Sequence, residues 1–546
     1  MVARNLAALA LFALAAGCGG PSARVRAIPV SRTRPRPAFA LRELAQGAGI
    51  RFRPDLHARS PRDILGTAGY GGGFLDYDGD GRLDVLLVGN PRCALFRNDP
   101  GGAFREVTRE AGLDVSGHWM GCAAADYDND GRSDLFLSGF GAAALLHNEG
   151  GRFRRVPFPF PPDMWGTSAV FFDADRDGRL DLYVGAYVRF GAGTPRLCTV
   201  LGIRTACSPD QYAPQKGRLY RNLGDGQFRD ITVAAGVAAT HGKTLGVTVC
   251  DVNADGWADL YLANDQVPGD LFINRGGYFV NRGAESGTAL NADGFEQGGM
   301  GVDWSDVDGN GRPDLIVTTA QHEFTSLYLN RDGVLFEERG DALGVGSTTQ
   351  ERLGFGARFA DLDNDGWEDL LLANGHVRDN VDRIQPGVSY AQPGMLLRHT
   401  GRGFAEVLDG TCADVRRAIV GRAVACGDFD NDGRMDALFT NLEGAPLLLH
   451  NEGGATHHWL RLRLRGVRSP RDGTGAVVTL EAGGRRQTRW VGTGGSYLAC
   501  SDPRVHFGLG SETRVDRVIV RWPAGHRQTL ECPAADREWE IVETVR

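Results

Sequence analysis

Seven short stretches of this sequence hold enough carboxylates, at fixed spacing, to bind a metal. In Asp361-Leu-Asp-Asn-Asp-Gly-Trp-Glu-Asp369 acids stand at positions one, three, five and nine, and Gly366 at position six permits a sharp turn. Calcium is a hard cation taking about six to eight oxygens. A tight turn gathers the side chains at one, three and five, the main-chain carbonyl at seven and a carboxylate at nine around one centre. The helical calcium hand needs its last acid at position twelve, opening a helix. Here the ninth residue opens the apolar run Leu370-Leu-Leu-Ala373, so the loop joins two strands.

The expected ligand sets, with position seven contributing only its carbonyl, follow in chain order. Loop 1 has Asp76, Asp78, Asp80, Arg82 and Asp84; loop 2 has Asp126, Asp128, Asp130, Arg132 and Asp134. Loop 3 has Asp173, Asp175, Asp177, Arg179 and Asp181; loop 4 has Asp251, Asn253, Asp255, Trp257 and Asp259. Loop 5 has Asp306, Asp308, Asn310, Arg312 and Asp314; loop 6 has Asp361, Asp363, Asp365, Trp367 and Asp369; loop 7 has Asp428, Asp430, Asp432, Arg434 and Asp436. Asn253 and Asn310 lower the charge of their loops, and Pro313 stiffens the approach to Asp314. Up to seven Ca²⁺ are expected, in the weak extracellular range of roughly 10⁻⁴ to 10⁻³ M. A fully ligated cation has no open position, so these are structural pins and not catalytic centres. The formal charge of −8 therefore understates the repulsion in the metal-free chain, because 26 carboxylates are concentrated in seven loops.

Other reactive side chains form no comparable pattern. Of the 12 His, His118, His241, His322 and His376 fall near expected loop ends, and His376 is the best catalytic or ligand candidate because it opens a long insertion. No His-Glu-x-x-His, nucleophile elbow or Cys-x-x-Cys occurs. Cys198 and Cys207 flank a short polar loop and are the expected disulfide; Cys412 with Cys426, and Cys500 with Cys532, are weaker pairings. Cys122, Cys250 and Cys426 lie in small-residue stretches before acidic loops, where a buried free thiol is the ordinary expectation. Arg supplies nearly all the positive charge, with Lys only at 216 and 243; nothing in this indicates nucleic acid.

The loops begin at 76, 126, 173, 251, 306, 361 and 428, a period near fifty with insertions, which means a modular array. Before each loop runs a Gly-rich or small-residue segment such as Tyr70-Gly-Gly-Gly-Phe74, fit for a crowded innermost strand. After it come an apolar strand, a third strand ending in Asn (Leu95-Phe-Arg-Asn98, Leu219-Tyr-Arg-Asn222) and a fourth opening on an aromatic (Phe104-Arg-Glu-Val107). Four short strands, radially repeated, define a propeller blade. The seventh unit lacks its fourth strand, and residues 39–44 near the N-terminus match it, so they are expected to close the ring and leave no long open sheet edge. The fold class is all-β: a seven-bladed β-propeller over residues 39–454, followed by a small β-sandwich-like domain over 455–546. Two insertions, Gly185–Gly217 and Gly375–Gly394, fall on the face opposite the acidic loops, where binding loops are expected.

In the tail, Leu460, Leu462 and Leu464 alternate with Arg461, Arg463 and Arg465. The domain holds 15 Arg against 10 acids; its outward Arg face is expected to be solvated, with docking on the acidic propeller or on an anionic partner as the alternatives. At the other end, residues 1–17 pair a basic start with an apolar run too short to span a bilayer, an export signal. It ends at Cys18 in a context similar to a bacterial lipoprotein cleavage site, so lipidation there is one expectation and simple secretion the other; residues 18–38 read as a tether.

The Asp-x-[Asp/Asn]-x-[Asp/Asn]-Gly-x-x-Asp loops, each followed by an apolar strand, resemble the FG-GAP/VCBS repeats of integrin α-type propellers. Trp459-Leu, Gly475-Ala-Val-Val, Val505-His-Phe-Gly-Leu-Gly510 and Trp522-Pro-Ala-Gly525 resemble the ASPIC/UnbV domain. With Leu262-Ala-Asn-Asp265, Gly299-Met-Gly-Val302 and Ala373-Asn-Gly-His-Val377, the chain is similar to the bacterial relatives of cartilage acidic protein. The resemblance implies an extracellular calcium-binding propeller with no assigned chemistry. The leading expectation is an exported binding or adhesion module for a glycan or protein, held to the membrane only through Cys18 if at all. An enzyme or accessory factor of extracellular polysaccharide processing, and a structural cell-envelope scaffold, are the alternatives.

Overall fold

The computed structural model describes residues 40–54, 60–453, 456–531 and 533–545. Cys18 and the leader and tether residues lie outside them, as does Cys532. Seven four-stranded antiparallel sheets follow one another along the chain. Blade 1 is typical: Gly72–Leu75, Asp84–Leu87, Ala94–Asp99 and Ala103–Glu106, each strand paired with the next. In blade 7 the chain supplies Gly421–Gly427, Asp436–Asn441 and Leu447–Asn451, and Leu41–Glu43 adds the fourth strand, with Leu41 opposite Asn451 and Glu43 opposite Leu449. Apolar clusters fill the space between successive blades, for example Phe74, Val85 and Phe96 of blade 1 against Ala425, Leu438 and Leu448 of blade 7. Among the described residues no helix is long and apolar enough to cross a membrane.

The C-terminal domain stacks a three-stranded sheet (Val505–Gly510, His458–Arg465, Arg537–Val542) on a four-stranded one (Arg485–Trp490, Val477–Ala482, Arg517–Arg521, Arg527–Glu531). Leu460, Leu462, Val478, Leu480, Phe507 and Trp522 form its core. The alternating Leu/Arg strand is half-buried, but its Arg face is not simply solvated as expected. Arg461 is 3% exposed and pairs with Asp428 of loop 7 at 2.5 Å. Arg521 pairs with Asp251 of loop 4 at 2.9 Å, and Arg489 with Glu368 beside loop 6 at 3.1 Å. The basic domain docks on the acidic face of the ring. Sequence alternation reveals which residues point away from a strand's own core, and it cannot reveal that another domain covers them.

One segment of this cap was not visible as structure in the sequence. Residues 493–502 enter the centre of the ring from the acidic face, turn at Ser496–Leu498, where Ser496 and Leu498 take left-handed backbone (φ 59° and 56°), and return. This plug touches every blade. Ala499–Cys500 pairs in parallel with Gly72–Gly73 of blade 1, and Leu498 packs on Gly121 of blade 2. Thr493 Oγ1 donates to Phe171 O of blade 3 (2.8 Å), Gly495 N to Val247 O of blade 4 (3.2 Å) and Ser496 N to Val302 O of blade 5 (2.5 Å). The Tyr497 ring lies 5.0 Å from that of Phe355 of blade 6, and Asp502 N donates to Cys426 O of blade 7 (3.1 Å). The small residues of the innermost strands thus make room for the plug as well as for one another: a Cβ on Gly73 would collide with the Cys500 carbonyl.

Candidate functional site

Six of the seven acidic loops close in one manner, and in loop 5 the position-five amide of Asn310 turns to Asp308 instead (3.2 Å). The carboxylate at position one accepts the amides of positions five and six, as Asp76 does from Asp80 (3.1 Å) and Gly81 (3.0 Å). Position five accepts the amide of position seven, as Asp365 does from Trp367 at 2.9 Å. Position nine is buried in all seven loops and receives two amides, those of position two and of the residue ending the third strand. Asp84, for example, accepts from Tyr77 N (3.1 Å) and Asn98 N (2.8 Å). It is a backbone anchor as well as a candidate ligand, and still lies with Asp76 and Asp78 close enough to share one ion. Burial, opposed by the amide hydrogen bonds and reinforced by neighbouring carboxylates, pushes Asp84, Asp134 and Asp314 up to about 8. At position three, Asp78 Oδ1, Asp175 Oδ1 and Asp363 Oδ1 are buried without a donor. Oxygen donors, mutual repulsion and orphaned acceptors together fit a hard divalent cation.

Basic side chains track this charge loop by loop. Arg97, His147, Arg221, Arg331, Arg398 and His450, from the third strands or just after them, reach the position-three acids of loops 1, 2, 3, 5, 6 and 7. In loop 4, where position three is the neutral Asn253, the corresponding residue is Ile273. The position-seven side chain also matters: Arg82, Arg132, Arg179 and Arg434 pair with the acid at position five, whereas Arg312, beside Asn310, has no such pair among the described contacts.

The Asn ending each third strand joins neighbouring loops. Asn98, Asn148, Asn222, Asn274, Asn330 and Asn451 each donate from Nδ2 to the position-two carbonyl of the preceding loop, at 2.7–2.9 Å. The first donates to Phe429 of loop 7, so the chain of clamps runs round the whole ring. In blade 6 His399 takes the part: Nδ1 accepts from Gly401 N, which leaves the proton on Nε2 to face Val307 O at 3.1 Å. The Asn ending was legible in the sequence. Its acceptor, between 71 and 331 residues away, was not.

On the opposite face both insertions border one cavity of about 190 Å³ at the mouth of the central channel. The first insertion brings Tyr187, Cys207 and Ser208; its hairpin, Leu197–Val200 with Ile203–Ala206, is closed by the expected Cys198–Cys207 disulfide. The second brings His376, Val377 and Arg378. Leu245, Met300, Leu353, Phe355 and the plug's Tyr497 give it an apolar wall. Tyr187 Oη donates to Asp265 Oδ2 (2.5 Å), and burial raises that carboxyl to about 6. His376 Nδ1 accepts from Arg378 N (3.0 Å), and burial lowers the ring to about 4, so it is neutral near pH 7 with its proton on Nε2. Arg378 is half-buried and no ion pair holds its guanidinium among the described residues; Gln321 Oε1 is buried without a donor.

Of the four sequence-marked histidines only His376 lines the cavity. His118 packs between Tyr70 and Phe140, and His241 is held by Asp270 at 2.5 Å. The segments Leu262–Asp265, Gly299–Val302 and Ala373–Val377, far apart in sequence, meet here through Asp265, Met300 and His376. Of the weaker disulfide pairings, Cys412 with Cys426 does not form, and Cys500 with Cys532 lies outside the described residues; Cys122 and Cys250 are buried, as expected. Cys412 lies beside the outermost strand of blade 7 and Cys426 on the innermost, and no bond joins them.

Seven blades, an acidic loop on each and a cavity at the far mouth define an acidic-loop β-propeller. The pattern described as FG-GAP-like repeat matches residues 76–137, 126–184, 206–262, 251–317 and 306–372, and that described as ASPIC and UnbV matches 466–546. The chain belongs to the FG-GAP-like repeat family and carries an ASPIC and UnbV domain. Cartilage acidic protein 1 of Homo sapiens is 25% identical over 379 residues, 66% of this chain and 50% of that protein; the Mus musculus protein is 26% identical over 381 residues, 66% and 52%. The chain spans about half the length of these curated relatives. Among solved structures, an Agrocybe aegerita lectin described for recognition of non-reducing terminal N-acetylglucosamine is 14% identical over 70% of this chain and 94% of that one, with TM-score 0.41. The extracellular domain of a hybrid two component system from B. thetaiotaomicron is 8% identical over 89% and 56%, also with TM-score 0.41. Likeness at that level bears on neither ligand nor mechanism.

Proposed function

We propose that this protein is an exported, calcium-binding β-propeller that serves as a binding or adhesion module, engaging an extracellular glycan or protein at the mouth of its channel. Calcium in the loops would be held by the carboxylates and Asn side chains at positions one, three and five, the carbonyl at seven and the carboxylate at nine. Its chemistry there is neutralisation of charge that the fold has already gathered. The chain's own residues do the rest, since amides fix the loop and the Asn clamps pass its position to the next blade. The Cys198–Cys207 disulfide supports an oxidising compartment.

The observation that carries the binding function is the cavity. It is bounded by both insertions and the plug, and combines an apolar wall with a free guanidinium and an orphaned amide oxygen. At about 190 Å³ it is smaller than the roughly 300–1,000 Å³ of sites that enclose a whole small molecule. It suits one terminal group of a larger ligand. The enzymatic alternative rests on Asp265 and His376 lining the same cavity, but their hydrogen bonds go to Tyr187 and to the Arg378 backbone.

The test is a glycan array and an extracellular-protein pull-down with the calcium-loaded chain, alongside Arg378→Ala and Tyr187→Phe. Saturable binding weakened at least tenfold by Arg378→Ala, with an unchanged melting curve, is the expected result. Binding indifferent to both variants would place recognition elsewhere. Turnover lost in His376→Ala would favour the enzyme, and neither binding nor turnover would favour the scaffold.

A further inference from the structure

Where the plug passes blades 1 and 2, two cysteines meet. Cys122 lies on the innermost strand Trp119–Ala125 of blade 2, and Cys500 on the plug strand Ala499–Cys500. Their sulfurs are 3.5 Å apart although 378 residues separate them in sequence. Both are buried, 2% and 3% exposed, in the apolar cluster that also holds Leu75, Leu86 and Leu137. Neither sulfur has a strong partner: Cys122 reaches only Leu498 O at 3.9 Å, and Cys500 only Phe74 O at 3.7 Å. The backbone around them is fixed from both sides, by the pairing of Gly73 with Cys500 and of Cys122 with Leu137. A disulfide needs about 2.05 Å between sulfurs, so closing the bond asks each sulfur to move about 0.7 Å.

We propose that Cys122 and Cys500 form a second disulfide in the mature protein, covalently fastening the cap's plug to the wall of the channel. Disulfide exchange supplies the oxidant. The thiolate of one cysteine attacks a donor disulfide, such as glutathione disulfide or that of a thiol oxidoreductase, and releases one donor thiol. The second cysteine, losing its proton, then attacks the mixed disulfide and releases the other. Two protein thiols are oxidised and one donor disulfide is reduced to two thiols. Since both sulfurs are sealed off once the plug is seated, the bond forms while the cap is docking. The consequence is topological: a ring closed by Leu41–Glu43 at its rim would also be closed through its axis, with Tyr497, which lines the far cavity, held three residues from the bond.

The full chain, folded in the presence of reduced and oxidised glutathione, is denatured in iodoacetamide without reductant and digested for mass spectrometry. A peptide pair joining Cys122 to Cys500, two hydrogens lighter than the free peptides, is expected beside the Cys198–Cys207 pair. Without denaturant, dithiothreitol should open Cys198–Cys207 first, because Cys198 is only half-buried. Cys122→Ser should leave Cys500 alkylated, and Cys500→Ser should leave Cys122 alkylated. Full alkylation of both thiols in the wild-type chain would overturn the proposal, as would a link from Cys122 to Cys93 instead. If the serine variants fail to fold, the wild-type peptide map still decides.

Discussion

The ring of Asn clamps makes a sharp energetic prediction, best tested at Asn222. Its side chain is 1% exposed and donates to Tyr127 O (2.8 Å) and Leu180 O (3.0 Å) while accepting from Gly224 N (2.9 Å). Asn222→Ala leaves two buried carbonyls without donors, whereas Gly224 is half-exposed and can turn to water. Each buried group left unsatisfied costs about 1–3 kcal/mol, so the substitution should destabilise the ring by about 2–6 kcal/mol. With an unfolding entropy of about 2.1 cal/mol/K per residue, a unit of roughly five hundred residues gains about 1.1 kcal/mol/K on melting, and Tm should fall by about 2–6 °C. His399→Asn is the matched control. It keeps a donor toward Val307 O and loses the stack on Trp367, 4.6 Å away, and the edge contact with Phe404, 4.8 Å away, each worth about 0.5–1.5 kcal/mol. Calorimetry on both in saturating calcium decides. If Asn222→Ala melts no lower than His399→Asn, the clamps carry no stability.

Two further outcomes follow from the charge distribution. Asp84, Asp134 and Asp314, raised to about 8 in the folded chain from 3.8, bind protons more tightly folded than unfolded. Their contribution to metal-free stability is therefore complete at low pH and lost as pH rises through about 8. In chelator, Tm should drop between pH 5 and 8.5, and calcorimetric titration with calcium near pH 7 in buffers of different ionisation enthalpy should show proton release; a flat Tm and no release would contradict this. Arg461→Gln strands Asp428 in a buried site, where breaking a pair costs about 3–5 kcal/mol. The loss should be larger in chelator than in calcium, because a cation in loop 7 neutralises the same carboxylate; equal losses in the two melts would show that no cation shares the site.

What the sequence made legible was whatever repeats. Seven copies of one loop disclosed the blades, the small innermost strands and the displaced outer strand at residues 39–44, since periodicity and strand patterning are local. The plug escaped notice because Thr493-Gly-Gly-Ser-Tyr-Leu-Ala-Cys-Ser-Asp502 has the composition of a surface loop. Its order comes from contacts with all seven blades, at sequence distances no local pattern reports. The cavity was half-legible: the insertions placed it on the right face and singled out His376. Asp265 lay within a quoted motif, but nothing in one sequence could show that Tyr187 would hold it or that Tyr497 would form part of the wall.

Whether calcium in these loops holds the ring together is read from melting of the purified chain in 2 mM calcium and again in excess chelator. Seven sites with dissociation constants of about 10⁻⁴ to 10⁻³ M would add about 5–13 kcal/mol by mass action, raising Tm by about 5–12 °C over the chelated protein. An unmoved Tm, with no metal found in the purified protein by elemental analysis, would contradict it.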